Sequence, residues 1–94
     1  MKRSIKITPA AINDIQAAID YYNKLQIGLG KRFSESIHTA FYKIQEMPQS
    51  ASIAFDSIRY KVVNSFPFII TYEYDNQHIF ILRIFNTHQH LDNL

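Results

Sequence analysis

The sequence predicts an α+β domain, with an N-terminal edge strand and an antiparallel helical hairpin packed on one face of a roughly four-stranded antiparallel sheet. Three observations carry that expectation. Apolar residues recur at helical spacing twice between Ala11 and Ile44. The two stretches are separated only by Gly28-Leu29-Gly30, a link so short that the helices must run antiparallel. From Arg59 to Phe85 the pattern changes to alternation, in segments 58–64, 66–74 and 78–85.

A chain of 94 residues is one domain, 1–94, with room for a modest core but not for two. It is 47% hydrophobic, with six Tyr and seven Phe but only two Gly and three Pro, which argues for a packed globule over disorder. Zero Cys excludes disulfides and thiolate metal sites, and suits a reducing cytosol. No apolar run approaches the ~18 residues of a membrane span, and Met1-Lys2-Arg3 leads into a strand-like segment, not a signal-peptide core. The expected location is cytoplasmic. Net charge is +2, and residues 1–47 hold seven Lys/Arg against four acids while 48–94 hold three against four. Gross charge therefore makes no case for nucleic-acid binding; only local clustering on the sheet would.

Ser4 to Ile7 alternates Ile5 and Ile7 against Lys6 and reads as an edge strand, where a lysine discourages stray pairing. Thr8-Pro9 is a helix start, a capping hydroxyl followed by proline at a position that needs no amide. Ile12, Ile15, Ile19 and Tyr22 then form a stripe, with Ala11 and Ala18 beside it. The helix ends near Gly28, where glycine adopts the left-handed cap. Phe33, Ile37, Ala40, Phe41 and Ile44 form the second stripe, which stops at Met47-Pro48. Residues 48–57 read as a loop tied down by Ile53 and Phe55, and the tail from Asn86 is short and polar.

Alternation also predicts register. Placing Phe68, Ile70 and Tyr72 on one face, and joining the strands by the odd loops 64–66 and 75–77, sets Val62 opposite Phe68 and Tyr72 opposite Phe80. Tyr60, Val62, Phe80, Leu82 and Ile84 then share the greasy face. A two-residue Asn76-Gln77 turn would set Glu73 opposite Phe80 and is disfavoured. Under the odd-loop register Arg59, Lys61 and Arg83 project together from the other face. Three such cations can hold a phosphate and stabilise a pentavalent phosphoryl transition state; the alternative is that they are solvated or paired with Glu73 or Asp56.

Other chemistry is thinner. Gly28-Leu29-Gly30 follows a helix and lacks the third glycine of a dinucleotide fingerprint, so it reads as a turn. His88-x-His90 puts two imidazoles on one side of an extended chain, but zinc wants three or four ligands, so solvated histidines or proton-transfer groups are the better reading. No Ser/His/Asp set or close acidic pair supports a hydrolase. No cofactor or metal is expected. Tyr22 continues the core stripe; Tyr21 lies at its margin.

Ala11 to Tyr22, Gly28-Leu29-Gly30 with Arg32-Phe33, Pro48, Ile58-Arg59 and the run from Phe66-Pro67-Phe68 to Tyr72 together resemble the RelE/ParE superfamily of type II toxin–antitoxin toxins, over nearly the whole chain. The resemblance implies a cytoplasmic, growth-inhibiting toxin of a plasmid-stabilisation-type module, neutralised by a co-encoded antitoxin and oligomerising through it. The helical hairpin and the Phe66–Tyr72 run look ParE-like, which implies a gyrase poison that is not an enzyme. A RelE-like member would instead be a ribosome-dependent messenger RNA endoribonuclease, with Arg59, Lys61, Arg83 and His88 as its catalytic set. Asn86 and Gln89 stand where many relatives carry a histidine and an arginine, a departure that speaks against cleavage. A third reading is a non-toxic interaction module.

Overall fold

Thr8 marks the point where the first strand gives way to the first helix. Its backbone is extended and its hydroxyl accepts from the Ala11 amide at 3.1 Å while donating to the Leu82 carbonyl at 2.8 Å. One side chain thus caps a helix and pins it to the sheet. The computed structural model describes residues 2–87. Its elements are β1 (Ser4–Ile7), α1 (Pro9–Leu25), α2 (Leu29–Glu46), a short 3-10 turn (Pro48–Ser50), β2 (Ser52–Phe55), β3 (Ile58–Val62), β4 (Phe68–Tyr74) and β5 (His78–Asn86). The strands form one five-stranded sheet in the order β1-β5-β4-β3-β2.

The two helices pack on one face, as the periodicity requires. Gly28 sits at φ 89° and starts α2, a conformation that only glycine adopts without strain. Gly30 lets the helices approach: a Cβ there would come within 2.6 Å of the Asn23 side chain, whose oxygen accepts from the Gly30 amide at 2.9 Å. The core joins Ala11, Ala18 and Tyr22 of α1 and Phe33, Ile37, Ala40, Phe41 and Ile44 of α2 to Phe68, Ile70, Tyr72, Ile79, Ile81 and Ile84 of the sheet. At its aromatic end the ring of Phe33 lies 4.9 Å from that of Phe68 and 5.3 Å from that of Phe66. Fully burying such a side chain stabilises by about 1.5–3 kcal/mol.

Several expectations need correction. The sheet has five strands and is mixed, because β1 runs parallel to β5. Residues Ser52–Phe55 form an edge strand instead of a loop, and Ile53 and Phe55 stay exposed and do not anchor it. Ile12 is 53% exposed, since the α1 stripe centres on Ala11, Ala18 and Tyr22.

Register is the largest correction. Tyr74 pairs with Ile79 and Glu73 stands opposite Phe80, so the β4–β5 turn is the two-residue Asn76-Gln77 turn that alternation disfavours. The cause is Asp75. Its carboxylate accepts from the amides of Gln77 at 2.8 Å and His78 at 2.7 Å and closes the turn locally. A bulge at Thr71/Tyr72 then moves the register by one residue. Ile79 and Ile81 therefore face the core before the bulge and Ile84 after it, in place of Phe80 and Leu82. At the other hairpin the Val63 amide donates to the Phe68 carbonyl at 2.9 Å, leaving four linking residues, with Ser65 at φ 72°. Val63, and not Val62, is the buried valine.

Candidate functional site

Those shifts of register take apart the predicted cationic face. Arg59 pairs with Tyr72 and Lys61 with Ile70, so both share the helix-bearing side of β3. Arg83 pairs with Thr71 beside the bulge. The three cations do not form one cluster.

Each has its own surroundings. One guanidinium nitrogen of Arg59 donates to the carbonyls of Ala51 at 2.6 Å and Gln49 at 3.1 Å, and the group lies 5.8 Å from the centre of the Tyr74 ring. Tyr72 works beside it. Its hydroxyl donates to the Pro48 carbonyl at 2.7 Å, and its ring is fully buried. Burial raises the Tyr72 pKa and the nearby Arg59 charge opposes that rise, leaving it net above the usual phenol value. Together the two side chains hold residues 48–51 against the sheet.

Arg83 is engaged on the opposite flank. Its Nε and Nη2 donate to the two Asp14 oxygens at 2.8 and 3.0 Å, and its guanidinium lies 5.1 Å from the centre of the Phe85 ring. Asp14 also accepts from the Ile84 amide at 2.9 Å. β1 pairs with β5 only as far as Ile81, so Thr8 and Asp14 satisfy the stretch of β5 beyond it. Partial burial would raise the Asp14 pKa, but the Arg83 and Ile84 hydrogen bonds and the Arg83 charge outweigh it and hold the carboxyl below its ordinary range. Nothing in the sequence separates Asp14 from an ordinary solvated helix position; only the placement of β5 gives it a task.

Lys61 carries no ion pair or side-chain hydrogen bond among the described residues. His88 and the His88-x-His90 pair lie outside the described residues, as does Gln89. Asn86 ends β5.

A groove of about 540 Å³, lined mainly by apolar side chains but also by Asp14 and Asn86, runs between α1 and the Phe68 end of the sheet. Ala17, Ala18, Tyr21 and Leu25 line one wall; Phe68 and Ile84 lie opposite. Tyr21 is 56% and Leu25 60% exposed. Tyr21 is thus at the core margin, as its spacing implies, and Leu25 extends the same apolar strip to the end of the helix. No described helix is long and apolar enough to cross a membrane.

Comparison with known families matches residues 5–91 to the ParE toxin of the type II toxin–antitoxin system, parDE. Among solved structures the fold is similar to a chain of the chromosomal ParDE toxin–antitoxin system from P. aeruginosa, with a TM-score of 0.79 and 24% identity over 89% of this chain and 95% of that one. A comparison with curated proteins produced no match.

Proposed function

The chain belongs to the ParE toxin family of type II toxin–antitoxin systems, and from that premise we propose that it arrests growth by acting on DNA gyrase, not by cutting messenger RNA. The observation that carries the choice is the separation of the cations. Phosphoryl transfer without a metal needs several positive groups converging on one phosphate. Here Arg59 is committed to two backbone carbonyls, Arg83 to Asp14, and Lys61 stands apart. Asn86, where many relatives carry a histidine, supports the same reading. Gyrase as the target rests on the resemblance of the helical hairpin and the Phe66–Tyr72 run to ParE-like sequences.

The protein works in the cytoplasm and is neutralised by a co-encoded antitoxin, with which it forms a larger assembly. The groove beside α1 supports such a partner, because Tyr21 and Leu25 form an exposed apolar strip that a segment folding on contact would bury. The deciding test is induction of the chain alone in cells. The expected result is growth arrest with a DNA-damage response and intact messenger RNA, reversed by the product of the neighbouring frame. Early failure of translation with ribosome-dependent messenger cuts, lost in an Arg59→Ala, Arg83→Ala double variant, would overturn the gyrase reading.

A further inference from the structure

A second groove lies between α2 and the end of β3, with a volume of about 470 Å³. β2 covers only part of β3: its first partner pair is Ser52 with Tyr60, and among the described residues no strand runs beside Val62 on that side. The Val63 amide points inward to the Phe68 carbonyl. By the alternation of an antiparallel ladder, the amide and carbonyl of Val62 point outward, to the uncovered edge. The opposite wall is the α2 stripe Ser36, Thr39 and Lys43, and Lys61 stands on the sheet side. Arg32 shares the helical phase of Ser36, one turn earlier. Neither Lys43 nor Lys61 has a carboxylate partner among the described residues, and no acidic side chain lines the groove. Glu46, the acid one turn beyond Lys43, is already paired with Lys2 at 2.7 Å.

We infer that this groove binds an extended acidic peptide segment, which pairs its backbone with Val62 at the open edge of β3 and sets its carboxylates against Lys43 and Lys61. An uncovered strand edge recognises another backbone, and side chains beside it select sequence. Unpaired lysines flanking that edge select carboxylates and repel a basic segment. A single-stranded nucleic acid fits less well, because such sites combine charge with stacking aromatics and, among the described residues, no aromatic side chain lines this groove. A second copy of this chain also fits less well, since it carries the same positive groove and a net charge of +2. The site is separate from the α1 groove and independent of the gyrase reading.

The test is a titration of the full isotope-labelled chain, followed at its backbone amides, with an acetylated, amidated hexapeptide of alternating Glu and Val. Three controls accompany it: the same peptide with Gln for Glu, one N-methylated at its valines, and a dT hexanucleotide. Saturable shifts at Val62, Val63, Ser36 and Thr39 are expected, at least tenfold weaker with the Gln and N-methyl peptides. Lys43→Gln and Lys61→Gln should each weaken binding several-fold. Lys43 and Lys61 make no side-chain bond within the described fold, so unchanged melting temperatures are expected, and either variant alone suffices if the other is poorly folded. Equal binding of the N-methylated peptide, no shift at Val62 at millimolar peptide, or tighter binding of the oligonucleotide would each overturn the proposal.

Discussion

Replacing Arg59 by alanine separates a structural arginine from a catalytic one. The substitution removes donations to the Ala51 and Gln49 carbonyls, at 2.6 and 3.1 Å, and the contact with the Tyr74 ring. A hydrogen bond from a charged donor contributes about 1.5–3 kcal/mol when well desolvated. Arg59 is only half-buried, so water partly replaces it at the freed carbonyls, and both bonds together amount to roughly 2 kcal/mol. For a chain of this size each kcal/mol moves the melting temperature by about 4–8 °C, so a fall of roughly 10 °C is expected. Tyr72→Phe removes the neighbouring tie to Pro48, whose bond is 2.7 Å, and should cost about 1–2 kcal/mol. Because both side chains hold the same four residues, the double variant should lose less than the sum. Thermal unfolding of the three variants supplies the cycle. If Arg59→Ala melts within about 3 °C of the parent, as an ordinary surface substitution would, the clamp is refuted. A catalytic role would return if that variant also lost activity.

The other expectations concern the α1–β5 junction and the helical hairpin. Asp14 has its folded pKa below the unfolded value of about 3.9, so its contribution is present above that pH and fades as pH falls through the folded value. Asp14→Asn should therefore lower stability near neutrality and flatten the acid limb of the stability–pH curve; an unchanged acid limb would show that the Arg83 pair contributes nothing. Gly30→Ala should push the Asn23 side chain off the Gly30 amide and cost about 1 kcal/mol, the worth of one hydrogen bond. In an Asn23→Ala background the same change should be nearly neutral, and additive losses in denaturant unfolding would contradict that coupling. Purified chain incubated with translating ribosomes should leave messenger RNA intact, which primer extension would read directly.

Helices were legible because their signals are local and redundant. Thr8-Pro9, Gly28 and Met47-Pro48 each mark a boundary by backbone chemistry that few other residues supply, and the observed ends fall within a few residues of them. Faces of β4 were legible for the same reason, since Phe68, Ile70 and Tyr72 are all buried. Register was not. Alternation is silent about which partner strand absorbs an extra residue, and here a bulge at Thr71/Tyr72 and the Asp75 turn both intervene. The cationic face went with it, because moving β3 by one residue sends Arg59 and Lys61 to the side of the helices. Edge strand β2 was missed because it buries neither face, so Ile53 and Phe55 leave no pattern of half-burial. Asp14 was beyond reach of any local signal, being defined by a partner 69 residues away.

The central claim is that this ParE-family toxin acts on gyrase without nuclease chemistry. Its most direct test is a supercoiling assay with purified gyrase, relaxed plasmid and the purified chain. The account predicts dose-dependent loss of supercoiling with trapped, cleaved plasmid, relieved by the product of the neighbouring frame and retained in Arg83→Ala protein that is shown to be folded. Undisturbed supercoiling at a large excess of folded chain, beside growth arrest by the same chain in cells, would contradict it.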